Sequence, residues 1–289
     1  TAEANASVAV YDGSTLLGTV SADGTGNWTL ASTGTLSPGL HSFTAKATDA
    51  AGNTGNASLP LMVTIDTSLP AAPTIDLLAA DDSGSSDSDN ITKTTVLRLT
   101  GATEAFAVIE VFDGSTSLGT VTADAAGVWL FTTSTLSAAT YAFKAQATDI
   151  AGNVSATKSG ALSVTVDLTA PSDPNSVTPT TTSNPGDTLS GKSEANAKVI
   201  LTIGGSPYTT QADANGDWSL NLSGNGVSLV SGANTIGLKA TDVAGNSSAG
   251  TGTATVTFTA PNMRLSASSD TGRSPSDRIT SNITPSFSG

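Results

Sequence analysis

Glu3-Ala4-Asn5-Ala6-Ser7-Val8-Ala9-Val10-Tyr11-Asp12-Gly13-Ser14-Thr15 returns as Glu104-Ala105-Phe106-Ala107-Val108-Ile109-Glu110-Val111-Phe112-Asp113-Gly114-Ser115-Thr116, an offset of 101 residues. The same offset carries Trp28 onto Trp129 and Asp66 onto Asp167. A second phrase, Ala47-Thr48-Asp49-Ala50-Ala51-Gly52-Asn53, recurs as Ala147-Thr148-Asp149-Ile150-Ala151-Gly152-Asn153 and again as Ala240-Thr241-Asp242-Val243-Ala244-Gly245-Asn246. Glu194, Ala195 and Trp218 mark a third, shortened copy. Self-similarity at a fixed period signals a tandem array, each copy being one structural unit stacked on the next.

The array phase extends to both ends. Asp270-Thr271-Gly272 through Asp277-Arg278-Ile279-Thr280 matches Asp82-Ser83-Gly84 through Asp89-Asn90-Ile91-Thr92 at a constant offset of 188. Gly289 then falls on Gly101, while Thr1 falls on Ala102. The sequence therefore reads as a slice of a longer array, cut inside a repeat at each end.

Inside one copy the apolar period is two. Val8 and Val10, Ile109 and Val111, and Val199, Leu201 and Ile203 alternate with polar positions, as half-buried strands do. Phe43-Ala45-Ala47, Phe143-Ala145-Ala147 and Ile236-Leu238-Ala240 make another such strand, and Val63-Ile65, Val164-Val166 and Val256-Phe258 the last of each copy. Asp12-Gly13 and Asp113-Gly114 are hairpin signals. About seven short strands per copy, one Trp each and no helical period predict an all-β chain of Ig-like sandwiches. The expected arrangement is tandem Ig-like β-sandwich domains, head to tail, as an elongated rod. Their boundaries read as 1–70 (first strands missing), 71–171, 172–261, and 262–289 for the opening strands of a further domain. Prolines in the linkers 67–73, 168–174 and 259–261 stiffen the joints.

Composition narrows the function. Zero Cys excludes thiol catalysis and a disulfide scaffold, and the single His41 leaves no His-based metal centre. Four Arg and seven Lys, scattered singly, make no patch for nucleic acid. No long apolar run implies insertion in a membrane. The net charge is −13, and its acids are twenty Asp against four Glu. Asp is the short carboxylate that loops use to hold hard cations, so the ratio points to calcium.

The A-T-D-x-A-G-N phrase, the Pro-bearing linker and the D-x-G…D-x-I-T loop, occurring in that order, resemble the bacterial Ig-like repeats of giant secreted adhesins. The resemblance covers essentially the whole chain. It implies export by type I secretion from a Gram-negative cell, an extracellular location, calcium between successive repeats, and a stalk role in attachment and biofilm formation. It implies no enzymatic activity.

Strand order sorts the acids onto two ends of each domain. In the second, Glu104, Asp124 and Asp149 fall at the top, and Asp82, Asp87, Asp89, Asp113 and Asp167 at the bottom. Glu194, Asp213 and Asp242 top the third domain, and Asp66 ends the first. Stacked head to tail, bottom acids meet top acids, and several carboxylates at one joint repel unless a divalent ion sits among them. The candidate Ca2+ ligands are therefore Asp66, Asp82, Asp89, Glu104, Asp124, Asp149, Asp167, Glu194, Asp213 and Asp242. The competing reading is that each Asp caps a turn. The third copy has lost bottom acids, with Ile203-Gly204-Gly205 for the Asp turn and Asn184-Pro185-Gly186-Asp187 for the acidic loop. Its far joint is therefore expected to be calcium-poor.

The three Trp read as core. His41 stands where the other copies have Tyr141 and Asn234, and so reads as dispensable. The expected partners are neighbouring repeats of the same chain, with any host or surface ligand held by a distal region. Two other functions compete with a stalk: a module recognising a glycan or protein, and an accessory domain of a secreted polysaccharide-degrading enzyme.

Overall fold

The computed structural model describes residues 1–31, 34–182, 187–227 and 229–260, with the backbone of 264–265 and 287–288. The chain is all-β and built of tandem Ig-like sandwich modules. Its contacts divide it into two compact units. One comprises residues 1–75, 101–130 and 144–160, and the other 76–100, 131–143 and 161–289.

The first unit opens with β1 (Ser7–Asp12), β2 (Thr15–Ser21), β3 (Gly39–Thr48) and β4 (Leu61–Ile65). They form one antiparallel sheet in the order β2-β1-β3-β4. The Asp12-Gly13 signal is the β1–β2 turn: Asp12 pairs with Thr15, and Gly13 takes the left-handed φ of 56° that a tight hairpin demands.

The second repeat adds β5 (Asp76–Leu77), β6 (Ile91–Thr92), β7 (Arg98–Ala102), β8 (Val108–Asp113), β9 (Thr116–Thr122), β10 (Val128–Thr132), β11 (Ala139–Thr148) and β12 (Leu162–Val166). Its sheets run β10-β7-β5 and β6-β12-β11-β8-β9, and β11 passes from the second unit into the first. Within the second unit β11 and β12 pair antiparallel from Ala139↔Val166 to Phe143↔Leu162, and the short β6 adds parallel to β12. Alternation along these strands buries Val111, Phe143, Ala145, Ala147 and Val164 completely, and Trp129 is 1% exposed.

The third repeat lies wholly in the second unit. It comprises β13 (Asn175–Thr178), β14 (Thr181–Thr182), β15 (Thr188–Lys192), β16 (Lys198–Ile203), β17 (Ser206–Gln211), β18 (Asp217–Asn221), β19 (Gly232–Thr241) and β20 (Gly252–Phe258). The sheet β13-β15-β18 and the sheet β14-β20-β19-β16-β17 share one core. Leu189, Trp218 and Leu220 from the first meet Val199, Leu201, Ile236 and Val256 from the second. Each such side chain contributes about 1.5–3 kcal/mol by leaving water. Two glycines let the Trp pack this way. A Cβ on Gly191 would stand 2.5 Å from Trp218 Cζ2, and one on Gly101 2.8 Å from Trp129 Cζ2. Beyond β20, β21 (Arg264–Leu265) pairs antiparallel with β22 (Phe287–Ser288).

Candidate functional site at the repeat joints

The A-T-D-x-A-G-N phrase starts on the last two residues of β3, β11 and β19 and builds one loop three times. In each, the Asp carboxylate folds back on the Asn four residues later. Asp49 Oδ1 accepts the Asn53 N–H at 2.8 Å and Oδ2 accepts Asn53 Nδ2 at 2.8 Å. Asp149 does the same with Asn153, and Asp242 with Asn246. The Asn side-chain bond, with the loop's N–H groups behind it, holds the Asp49 and Asp149 carboxyls below the usual range. Locally, then, these Asp are turn caps.

The Asn carries the longer-range contact. In the first unit Asn153 Nδ2 also donates to the backbone oxygen of Asp66, at 3.1 Å. In the second unit Asn246 Nδ2 donates to the backbone oxygen of Asp167, at 2.9 Å. One amide group therefore ties a repeat's loop to the residue that follows the last strand of the preceding repeat. The motif's position at a joint was visible in the sequence, but which of its residues reaches across was not.

In the second unit a further loop closes on this clamp. Ser83 Oγ donates to the Ala244 oxygen at 2.7 Å, Ser85 N to the Val243 oxygen at 3.1 Å, and Lys93 Nζ to the Gly245 oxygen at 2.5 Å. Gly84 has a φ of 113°, and a Cβ there would overlap the Val243 carbonyl. The Gly of the D-x-G stretch thus serves a close backbone approach as well as a bend. The loop is braced from within. Buried Asp81 takes Arg98 Nη2 at 2.6 Å and Nε at 2.9 Å, and its backbone oxygen accepts Thr92 Oγ1 at 2.6 Å.

Asp82 is the exception to this satisfaction. It is 7% exposed; Oδ2 accepts the Asn90 N–H at 2.9 Å, but Oδ1 is buried without a hydrogen-bond partner. Burial raises its pKa, and the Asp89 and Asp87 charges add to that. Glu194 is also raised, by desolvation first and then by the Asp242 and Asp167 carboxylates. Asp167, Glu194 and Asp242 thus share one electrostatic neighbourhood.

The other candidate ligands are engaged locally. Asp66 Oδ1 accepts the Ser68 N–H, Asp89 Oδ1 that of Ile91, and Asp167 Oδ1 that of Thr169. Asp124 Oδ1 caps Ala126 and Val128, and Asp213 Oδ1 caps Asn215 and Asp217, which lowers the Asp213 pKa. Glu104 is exposed, its backbone oxygen accepting the Ala107 N–H. Among the described residues, no three carboxylates or imidazoles stand together as a ready metal site. Asn184, Pro185 and Gly186 lie outside the described residues, as does the side-chain structure of 262–289.

Two features escaped the sequence reading. His41 Nε2 bonds the Ser37 oxygen at 2.8 Å, Tyr141 Oη the Ser137 oxygen at 3.0 Å, and Asn234 Nδ2 the Val230 oxygen at 2.8 Å. Three unlike side chains make one corner bond, so their variety is not a sign of dispensability. Asp173 in the second linker collects the N–H groups of Gly250, Thr251 and Gly252, and the Ser248 side-chain bond, with these N–H groups behind it, brings its pKa down to about 2. A carboxylate that only the third copy has at that linker position was the available signal.

Residues 1–67 and 69–168 each match the bacterial Ig-like domain family. The chain belongs to that family. It contains bacterial Ig-like modules in tandem. No curated protein matches it. Among solved structures it is similar to a 1.5-MDa bacterial ice-binding adhesin, at 19% identity over 89% of this chain and 87% of that one, with a TM-score of 0.32. A biofilm-associated protein domain shows 17% identity over 77% of this chain and 43% of that one, TM-score 0.24. Fibronectin(III)-like modules of Clostridium thermocellum show 15% identity over 65% and 94%, TM-score 0.36.

Proposed function

We propose that this family member is a length-giving stalk segment of an extracellular bacterial adhesin, serving attachment or biofilm formation, with joints stiffened by calcium. The observation that carries the reading is Asp82 Oδ1, a buried carboxylate oxygen without a partner in a loop that already grips the next repeat. An unpaired buried anion is costly, and a hard divalent cation removes that cost without rebuilding the loop. Asp82, Asp89, Asp167, Glu194, Asp213 and Asp242 are the oxygen donors from which such a site would draw. Asp66, Glu104, Asp124 and Asp149 play that part at the preceding joint. Calcium accepts mixed oxygens, waters included, in a shell of flexible geometry, whereas magnesium demands a tight octahedron.

Calorimetry and small-angle scattering with and without calcium test this. Saturation at a hundredfold excess over Kd adds about 2.7 kcal/mol. Chelator should lower the melting temperature and loosen the scattering envelope, and Asp82→Asn or Asp167→Asn should blunt both responses. An envelope and a melting temperature indifferent to chelator would refute the calcium reading.

The pH dependence has a definite sign. A raised carboxyl costs stability while ionised. That cost is full above the folded pKa and vanishes below the ordinary value, 3.8 for Asp82 and 4.5 for Glu194. Acid and calcium relieve the same strain, so the calcium increment should shrink as pH falls toward those values.

A further inference from the structure

The linker into the third repeat is gripped at both ends by one short segment, residues 246–252. At one end Asn246 Nδ2 donates to the Asp167 backbone oxygen at 2.9 Å. At the other, Asp173 Oδ1 accepts the Gly250 N–H at 2.8 Å, and Oδ2 accepts those of Thr251 at 3.0 Å and Gly252 at 2.8 Å. Thr251 Oγ1 donates to the same Oδ2 at 3.1 Å. The segment is shaped to receive this carboxylate. Gly250 has a left-handed φ of 70°, and a Cβ on Gly252 would stand 2.8 Å from the Asp173 Cβ. Asp173 is ionised at neutral pH, so its hydrogen bonds are charge-assisted.

The second repeat lacks this anchor. Among the described residues its linker is gripped at one end, by Asn153 Nδ2 on the Asp66 oxygen at 3.1 Å. Thr74 N bonds the Ala102 oxygen where Asn175 pairs with Lys192, so Ala72 takes the place of Asp173 and offers no acceptor. Further along, the two repeats are alike. In the third, β14 lies parallel to the end of β20, and Thr257 N and Thr259 N donate to the Thr180 and Thr182 oxygens at 2.8 and 2.9 Å. In the second, β6 lies parallel to the end of β12, and Thr165 N and Asp167 N donate to the Asn90 and Thr92 oxygens, both at 2.8 Å.

Parallel pairing fixes how tension enters a repeat. The segment from Asp173 to Thr182 runs the same way as β20, and the chain enters at the start of the one and leaves at the end of the other. Tension along the chain therefore slides the two past each other and strains the bonds between them together, instead of opening them one by one. We propose that the Asp173 carboxylate is a mechanical staple, which passes tension from the linker to the start of β20 and makes the third repeat more resistant to force than the second. The third repeat is then sheared at two points, Asp173 and β14, and the second at one, β6. The inference takes its purpose from the stalk reading, since a stalk transmits tension, but calcium has no part in it.

Force spectroscopy on the full chain, held by its two ends in chelator, tests this. Forced unfolding reads a rate, so the quantity to compare is the lifetime of each unfolding event at fixed force. Asp173→Ala should shorten one event's lifetime about tenfold, as expected for losing one or two net hydrogen bonds, and leave the others unchanged. Asp173→Asn keeps a side-chain oxygen and should shorten it less. Without force, hydrogen exchange should show the amides of 250–252 losing protection while those of β19 keep theirs. A chain whose joints ignore calcium would sink the calcium reading and leave these expectations standing. Lifetimes untouched by Asp173→Ala would overturn the proposal, and so would an effect that appears only with calcium. Loss of protection throughout β19 would also overturn it, by making the carboxylate a support of the fold and not of the tension path.

Discussion

Asn153 and Asn246 occupy one place in the repeat and make the same bonds, and among the described residues a second loop packs on the clamp at Asn246. Each amide links its own Asp to the backbone oxygen of the preceding repeat's closing Asp, at 3.1 Å for Asn153 and 2.9 Å for Asn246. Around Asn246 the loop from Ser83 to Lys93 adds three more hydrogen bonds and a close glycine approach. The comparison separates two devices. The Asn amide is the minimal clamp, and the acidic D-x-G loop is what turns a clamp into an interlock.

The strongest way to break the difference is Gly84→Val. A branched side chain at a φ of 113° cannot coexist with the Val243 carbonyl, so the loop must leave the joint. A loss of about 2–3 kcal/mol is expected, confined to this joint. Hydrogen exchange should show the amides of 83–93 and 243–246 losing protection while the core strands keep theirs. Loss of protection throughout the third repeat would mean that the loop supports the fold and not the joint.

A finer test pairs Gly245→Ala with Gly152→Ala. Both glycines are left-handed, at 91° and 94°, so each change costs about 1 kcal/mol of backbone strain. A Cβ at Gly152 meets nothing, whereas one at Gly245 stands 3.1 Å from Gly84 Cα. Gly245→Ala should therefore lower the denaturation midpoint more than Gly152→Ala does. Equal midpoints would erase the distinction between the joints.

The smallest effect separates the amide from its surroundings. Asn153→Ala and Asn246→Ala each remove a hydrogen bond across a joint, worth about 1 kcal/mol, along with the local cap. Asn53→Ala removes the cap, and local exchange rates should show it as the mildest of the three. If Asn53→Ala proves as damaging as the others, the cap and not the clamp carries the energy.

Much of this is legible in the sequence. The alternation of Val8 and Val10 or of Phe143, Ala145 and Ala147 has a period that only a half-buried strand explains, and Asp12-Gly13 names its own turn. The site was less legible. An Asp at a joint reads equally as a ligand or a cap, because both use the same short carboxylate. Asp149 and Asp242 turned out to hold their Asn, while Asp82 kept one oxygen unpartnered.

The sequence alone determined that this is a β-repeat array, where each copy's strands lie, and which side chains form the cores of the second and third. Those are local properties: residue period, turn chemistry and the spacing of Trp and Gly recur with the copies. Tertiary structure decided which polar atom reaches across a joint and which is left buried without a partner. It also decided that His41, Tyr141 and Asn234 make one bond. Such facts depend on distances between residues far apart in the chain, where a shift of one ångström makes or breaks a hydrogen bond.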